Sequence, residues 1–150
     1  MAYANALSAY KETRVKTAGQ GQLIIMLYDE AVKQLDQGLE LMKQYSKGKK
    51  DPGKIENIAK ALLKTQEIIT ELMVSLDFEQ GRDVAKNLFS LYTWFNQEIV
   101  EANTNKDIKR VADVRNMLVD LRTAWGEAVL KSGNSSENAD RAISGINIAG

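Results

Sequence analysis

Apolar residues recur every three or four positions in four long segments of this 150-residue chain, and this spacing constrains the fold more than any other feature. The period places the apolar side chains on one side of an α-helix, which must bury them against another apolar surface. The sequence has one proline and is rich in alanine, leucine, glutamate, lysine and glutamine, which favour helix. The pattern therefore predicts an all-α protein.

A loop rich in lysine and glycine separates the first two predicted helices. We expect the first helix to run from about Gln22 to Tyr45. The side chain of Asp51 can accept hydrogen bonds from free backbone N–H groups, and Pro52 suits a first helical turn, so the second helix is expected to begin there. Its apolar spacing continues to Leu76.

The third predicted helix follows a turn and runs from about Arg82 to Asn103. Thr104 and Asp107 have the spacing of a capping box, which predicts the start of a fourth helix, and Lys131 marks the end of that helix. Four helices of similar length joined by short loops favour an antiparallel up-down four-helix bundle.

The two ends of the chain do not continue the long apolar stripes. Within residues 1–16, Leu7 and Tyr10 have roughly the spacing of a short, weakly anchored helix. Residues 132–150 are mostly small and polar, which predicts a flexible C-terminal tail. We therefore expect one bundle domain over residues 1–131, which includes the N-terminal segment and precedes the tail.

The residue types in the chain exclude several classes of function. The sequence contains no cysteine and no histidine, so it cannot form a disulfide, a zinc site of the usual kind or a histidine-based catalytic site. Acidic residues on the first helix leave a carboxylate enzyme open, but their spacing of four is more typical of a solvated helix face. We expect no catalytic residues, no metal and no cofactor.

The charge and hydropathy of the chain limit the kinds of partner and the cellular location that we expect. Twenty basic residues balance twenty acidic ones, so no net field attracts nucleic acid or an anionic membrane. No stretch reaches the length of a membrane span, and the N-terminus lacks the basic flank and apolar run of a secretory signal. We therefore expect a cytoplasmic protein that is not embedded in a membrane and meets its partners through apolar contacts.

The chain carries more apolar surface than one stripe per helix requires. Residues 23–28 are apolar at every position, so that part of the first helix is apolar all round. Phe89 and Trp94 are expected to project from the flanks of the third helix, and Ile68 and Leu72 widen the stripe of the second. Something besides a single stripe of the bundle core must cover this surplus.

Three uses of the surplus surface remain open at this point. It can be a generous core with scattered surface aromatics, which ordinary proteins also have. It can form grooves for amphipathic helices of a partner. In the third case the protein is a structural or signalling four-helix bundle, and its extra apolar face forms a homodimer.

Short motifs follow one another along the chain in a definite order. They are Ala9-Tyr10, Met26-Leu27-Tyr28-Asp29, Ile69-Thr70-Glu71-Leu72, Asn87-Leu88, Leu91-Tyr92, Glu101-Ala102-Asn103 and Leu121-Arg122-Thr123-Ala124-Trp125. Each motif is common on its own, but together their order and spacing resemble the FliS family of flagellar export chaperones. The resemblance covers most of residues 1–130.

The resemblance implies an antiparallel four-helix bundle whose N-terminal segment acts as a cap. It also implies that the protein binds the disordered C-terminal segment of new flagellin, prevents premature polymerisation, and delivers this client to the export gate protein FlhA. Some family members also interact with FliW. Leu7 and Tyr10 are then expected to serve in capping and in docking at the export gate. The expected client-binding residues are Leu23, Met26, Ile68, Leu72, Phe89, Tyr92 and Trp94.

Overall fold

The computed structural model describes residues 19–48 and 50–132, and this part of the chain is helical without any strand. The helices are α1 (Gln20–Lys47), α2 (Pro52–Val74), α3 (Phe78–Asn105) and α4 (Ile108–Ser132). The predicted all-α class with four long helices is confirmed. Leu7, Tyr10 and the tail beyond Ser132 lie outside the described residues.

The start of α2 matches its local sequence signals. Asp51 precedes the helix, and its Oδ1 atom accepts a hydrogen bond from the backbone N–H of Gly53 at 2.9 Å. Pro52 occupies the first turn, where its missing N–H has no helical partner to lose. By contrast, α1 begins after Gly19, which has no side chain to cap the first turn.

The long stretch of α3 follows a break at Arg82, about where the third helix was predicted to begin, but a short helical stretch from Phe78 precedes it. Asp77 is the reason: its Oδ1 atom accepts hydrogen bonds from the N–H groups of Glu79 and Gln80, both at 3.0 Å. The expected turn survives as a break inside the helix. Arg82 has φ 47° and ψ −119°, a conformation far from helical that residues with a side chain rarely adopt.

The capping box predicted for α4 is also different in the structure. Thr104 still belongs to α3, and its hydroxyl donates a hydrogen bond to the carbonyl of Val100 at 3.1 Å. Lys106 ends α3 in the left-handed conformation, with φ 54°. Asp107 then caps α4, since its Oδ1 atom accepts a hydrogen bond from the N–H of Arg110 at 3.3 Å.

The helices pack as a ring in which each contacts the next in sequence and α4 contacts α1. α1 and α2 approach closely at Gly38, where an added Cβ atom would lie 3.4 Å from Leu62 and 3.7 Å from Ala61. All four helices contribute to one apolar core. Its fully buried members include Tyr28, Leu35, Ile58, Leu62, Ile69, Tyr92, Phe95, Ile99, Val111, Val114 and Leu118.

Candidate functional site

Four of the seven expected client-binding residues are buried. Leu23, Ile68, Leu72 and Tyr92 expose 2% of their surface or less. The surplus apolar residues at these positions of α1, α2 and α3 pack into the bundle instead of widening its outer face. The expectation that these four belong to an exposed surface is therefore corrected, and they support the surface from beneath.

Tyr92 is fixed in the core by a hydrogen bond between its hydroxyl and that of Tyr28 on α1. Burial raises the pKa of Tyr92 to about 12, although the hydrogen bond from Tyr28 acts in the opposite direction. Burial is also the main reason that the pKa of Tyr28 lies well above its ordinary value. Both hydroxyls are therefore neutral at physiological pH. Tyr28 also forms a side-chain hydrogen bond with Trp125, whereas the partner of Tyr92 is Tyr28.

Removal of the Tyr28 hydroxyl alone is expected to destabilise the protein more than removal of both hydroxyls. Tyr28→Phe leaves the Tyr92 hydroxyl buried without its partner, which lowers the free energy of unfolding by about 2 kcal/mol. The double variant Tyr28→Phe/Tyr92→Phe removes both polar groups and recovers part of that loss. Urea unfolding of the wild type, both single variants and the double variant measures the coupling. If the stability losses of the two single variants add up to the loss of the double variant, the two hydroxyls do not act as a pair.

The same pair predicts a loss of stability in alkali. Because the folded-state pKa values are raised, the unfolded chain releases its tyrosine protons first as the pH rises past about 10. The stabilising contribution is complete below pH 10 and falls as the pH approaches about 12. Urea midpoints between pH 8 and 11 should decline more steeply for the wild type than for Tyr28→Phe/Tyr92→Phe. Parallel declines would exclude the pair as the cause.

Phe89 and Trp94 remain on the outside of α3, as predicted, with 43% and 39% of their surfaces exposed. The Phe89 ring contacts the exposed ring of Phe78 edge to face, with centroids 6.0 Å apart. The Trp94 ring lies against the buried ring of Phe95, with centroids 5.8 Å apart. Met26, the remaining expected residue, is half-buried on α1. The exposed aromatic surface therefore belongs mainly to α3.

An open cleft of about 710 Å³ lies along this helix, and we call it the α3 cleft. It is lined by Gln66 and Met73 of α2, by Arg110 of α4, and by Thr93, Trp94, Asn96, Gln97, Glu98, Val100 and Glu101 of α3. The lining thus combines apolar side chains, neutral polar ones and the three charged residues Glu98, Glu101 and Arg110. Val100 was not predicted from the sequence. It lies directly after Ile99, a residue of the apolar stripe, and Phe89 has the same position relative to Leu88.

Hydrogen bonds join the two helices that form most of the α3 cleft. The Nε2 atom of Gln66 donates to the backbone carbonyl of Asn96 at 3.4 Å. The Nδ2 atom of Asn96 contacts the sulfur of Met73 at 4.0 Å. A polar residue in a partly buried position carries no signal in a pattern of apolar residues, so sequence reasoning missed Gln66 and Asn96 as well.

Ion pairs hold Arg110, the cation among the residues that line the α3 cleft. The guanidinium of Arg110 lies 2.6 Å from the carboxylate of Glu98 and 3.0 Å from that of Asp107. The charge of Glu98 and the hydrogen bond to Asp107 raise the pKa of Arg110 above its usual value. The carboxylate of Glu101 also lines the cleft and accepts a hydrogen bond from Asn105 at 3.4 Å, so the cleft keeps a negative charge beside its apolar and neutral polar groups.

A second cleft of about 330 Å³ lies between α1 and α4, and we call it the α1–α4 cleft. Ile25 of α1 and Val129 and Leu130 of α4 contribute its apolar side chains, and Leu130 is 78% exposed. Arg122 on its rim donates from Nε to Asp29 at 2.8 Å. This cleft is a second place where apolar surface is open on the outside of the bundle.

Within residues 19–48 and 50–132, no group of acidic side chains is arranged to hold a metal ion. In the same part of the chain, no helix has the length and apolarity needed to cross a membrane. What this part of the protein offers is a pair of open clefts and exposed aromatic side chains, which suit contact with another polypeptide.

Comparison with known proteins agrees with this kind of site. The family described as "Flagellar protein FliS" matches residues 3–132. The flagellar secretion chaperone FliS of Bacillus subtilis (strain 168) is 30% identical over 145 residues, which cover 97% of this chain and 98% of the relative. The protein of the same name from Vibrio cholerae serotype O1 is 32% identical over 126 residues, 81% of this chain and 87% of the relative.

The flagellar secretion chaperone FliS of Escherichia coli (strain K12) is 29% identical over 119 residues, which cover 79% of this chain and 82% of the relative. These matches extend over the whole described bundle rather than over one motif. The chain belongs to the FliS family of flagellar secretion chaperones, and the resemblance seen in the sequence motifs is confirmed.

Proposed function

We propose that this protein is a cytoplasmic, non-enzymatic chaperone that binds the disordered C-terminal segment of flagellin and keeps it from polymerising before export. It then delivers this client to the export gate protein FlhA, and FliW is a further partner. The observation that carries the proposal is the exposed aromatic surface beside the α3 cleft in a member of the FliS family.

The physical properties of such a client explain why open clefts are useful. A flagellin terminal segment must stay unfolded for export, yet it is apolar enough to associate when it is free. Ordering a disordered segment on a surface opposes binding, so a stable complex needs a large buried area. The α3 cleft and the α1–α4 cleft lie on different helix pairs, which favours a client that wraps around the bundle over one that enters a single pocket.

The proposed client surface comprises Phe89 and Trp94 on α3, together with Met26 on α1. The aromatic side chains provide large apolar area in exposed positions. Met26 adds a flexible side chain that adapts to different partners. Leu23, Ile68, Leu72 and Tyr92 determine where these helices lie but do not themselves contact the client.

The bundle is proposed to have the antiparallel up-down arrangement. Two ion pairs between α1 and α4 support it: Asp36 pairs with Arg115 at 2.9 Å, and Asp29 pairs with Arg122 at 2.8 Å. A step forward along α1 from Asp29 to Asp36 corresponds to a step backward along α4, as antiparallel helices require. Contacts between helices that follow one another through short connections support the same arrangement.

Phe89→Asp is expected to weaken binding of a flagellin C-terminal peptide about tenfold or more, because a carboxylate must be desolvated against the client's apolar face. The free energy of unfolding should change by less than about 1 kcal/mol, since the side chain is exposed. Titration calorimetry and urea unfolding measure the two quantities. Leu63→Asp on α2 is the matched control, because Leu63 has similar exposure at 49% and does not belong to the proposed client surface.

Two outcomes would contradict the assignment of Phe89. If Phe89→Asp unfolds the protein, Phe89 belongs to the core. If Phe89→Asp leaves peptide binding intact but converts a wild-type dimer to a monomer in size-exclusion chromatography, the α3 surface serves a homodimer. The alternative of a structural or signalling bundle would then be correct.

The N-terminal segment is proposed to cover a groove when no client is present and to dock at the export gate when it is displaced. Leu7 and Tyr10 are its proposed contact residues. Deletion of residues 1–16 should abolish binding to the cytoplasmic part of FlhA while the protein still binds the flagellin peptide. Pull-down with each partner measures both properties on the same sample. Normal FlhA binding by the shortened protein would refute this role.

A further inference from the structure

The break inside α3 places Arg82 in a backbone conformation that suits glycine. Its φ of 47° and ψ of −119° lie close to those of the second residue in a type II′ turn, where glycine dominates because it has no Cβ atom. The Arg82 side chain is exposed, and among residues 19–48 and 50–132 it has no hydrogen bond or ion pair that would compensate. The break is therefore strained, and another interaction must favour it.

The contact between Phe78 and Phe89 is such an interaction. Phe89 lies eleven positions after Phe78, so one continuous helix would separate the two residues by about 16 Å along its axis. Because of the break at Arg82, the two rings instead meet edge to face, with centroids 6.0 Å apart. An aromatic contact of this geometry is favourable, so it offsets part of the strain.

The short helical stretch before the break, residues 78–81, can move as one unit, and we call it the α3 lid. The carboxylate of Asp77 caps the lid, and the backbone carbonyl of Asp77 accepts a hydrogen bond from the N–H of Gly81 at 2.7 Å. These hydrogen bonds all lie before Arg82, so rotation about the Arg82 backbone leaves them intact. If Arg82 takes helical φ and ψ, the lid continues the axis of α3 and its phenylalanine leaves Phe89.

We propose that the α3 lid moves between a bent position, which partly covers Phe89, and a straight position, which exposes it. The bent position has the aromatic contact and the strain, whereas the straight position has neither. Because these two effects oppose each other, a ligand that binds the exposed Phe89 ring can shift the population to the straight position. This inference rests on the proposed function, since the flagellin segment is the ligand that we expect to displace the lid.

Arg82→Gly should favour the bent position, because glycine adopts a positive φ without strain and is a poor helix residue. We expect the dissociation constant for a flagellin C-terminal peptide to rise about fivefold to tenfold, since fewer molecules have the lid open. The urea midpoint of the client-free protein should rise. Titration calorimetry and urea unfolding measure these two quantities. Damage to the fold would instead lower the midpoint.

Arg82→Ala is the matched control, because alanine removes the same side chain but keeps the strain of a positive φ. Its dissociation constant for the peptide should stay within about twofold of the wild-type value. Equal losses of affinity in Arg82→Gly and Arg82→Ala would assign the effect to the side chain and overturn the inference.

Phe78→Ala should have the opposite effect on both quantities. It removes the ring that covers Phe89, so the dissociation constant for the peptide should fall about threefold. The urea midpoint should fall slightly, because the bent position loses its aromatic contact. Weaker peptide binding by Phe78→Ala would place Phe78 in the client surface itself, and the lid would then be wrong.

The movement of the lid can be measured without any client. NMR relaxation dispersion of the backbone amides of residues 78–86 should show exchange on the microsecond-to-millisecond timescale in the wild type. Arg82→Gly should suppress this exchange. Wild-type amides without exchange would indicate a single lid position and would overturn the inference.

The possible results separate the lid from the proposed function. If the wild type shows the exchange but binds no flagellin peptide, the proposed function is wrong, and so is the role of the client in displacing the lid. If the wild type binds the peptide and Arg82→Gly binds it equally well, the proposed function stands and the lid is wrong.

Discussion

The hydrogen bond between Tyr28 and Tyr92 is the interaction on which the rest of the bundle depends. It joins α1 to α3, two helices that are not neighbours in the ring, through a mainly apolar core. Apolar side chains tolerate small shifts in register, but this buried pair does not, because the Tyr92 hydroxyl loses its partner when the helices slide. This pair therefore favours one alignment of α1 and α3 over others that bury similar apolar area.

The alignment of α1 with α3 determines which side chains lie on the outer face of α3. With Tyr92 and Phe95 directed into the core, Phe89 and Val100 must lie on the flanks of the same helix. The helix thus has a buried side that stabilises the bundle and an exposed side that contributes little to stability. This separation leaves the exposed side available for an interaction with a client.

Local signals account for most of the secondary structure. Asp51 and Pro52 start α2 where expected, because capping depends only on residues within one turn. Asp77 is the same kind of signal, but the helical stretch that it caps reaches only as far as the break at Arg82. Phe89 and Trp94 were identified from apolar surplus beside a stripe, whereas Gln66 and Asn96 were missed because their roles depend on a helix 30 positions away.

The sequence by itself determined that the chain forms four helices and belongs to the FliS family, because helical periodicity and family motifs are properties of residue order. The tertiary structure alone decided which surplus apolar residues are inside. Tyr92 and Phe89 are three positions apart on one helix, yet one meets a hydroxyl 64 positions away and the other remains exposed. Burial depends on the partner that each residue meets across the bundle, and that partner is set by helix packing rather than by the neighbouring sequence.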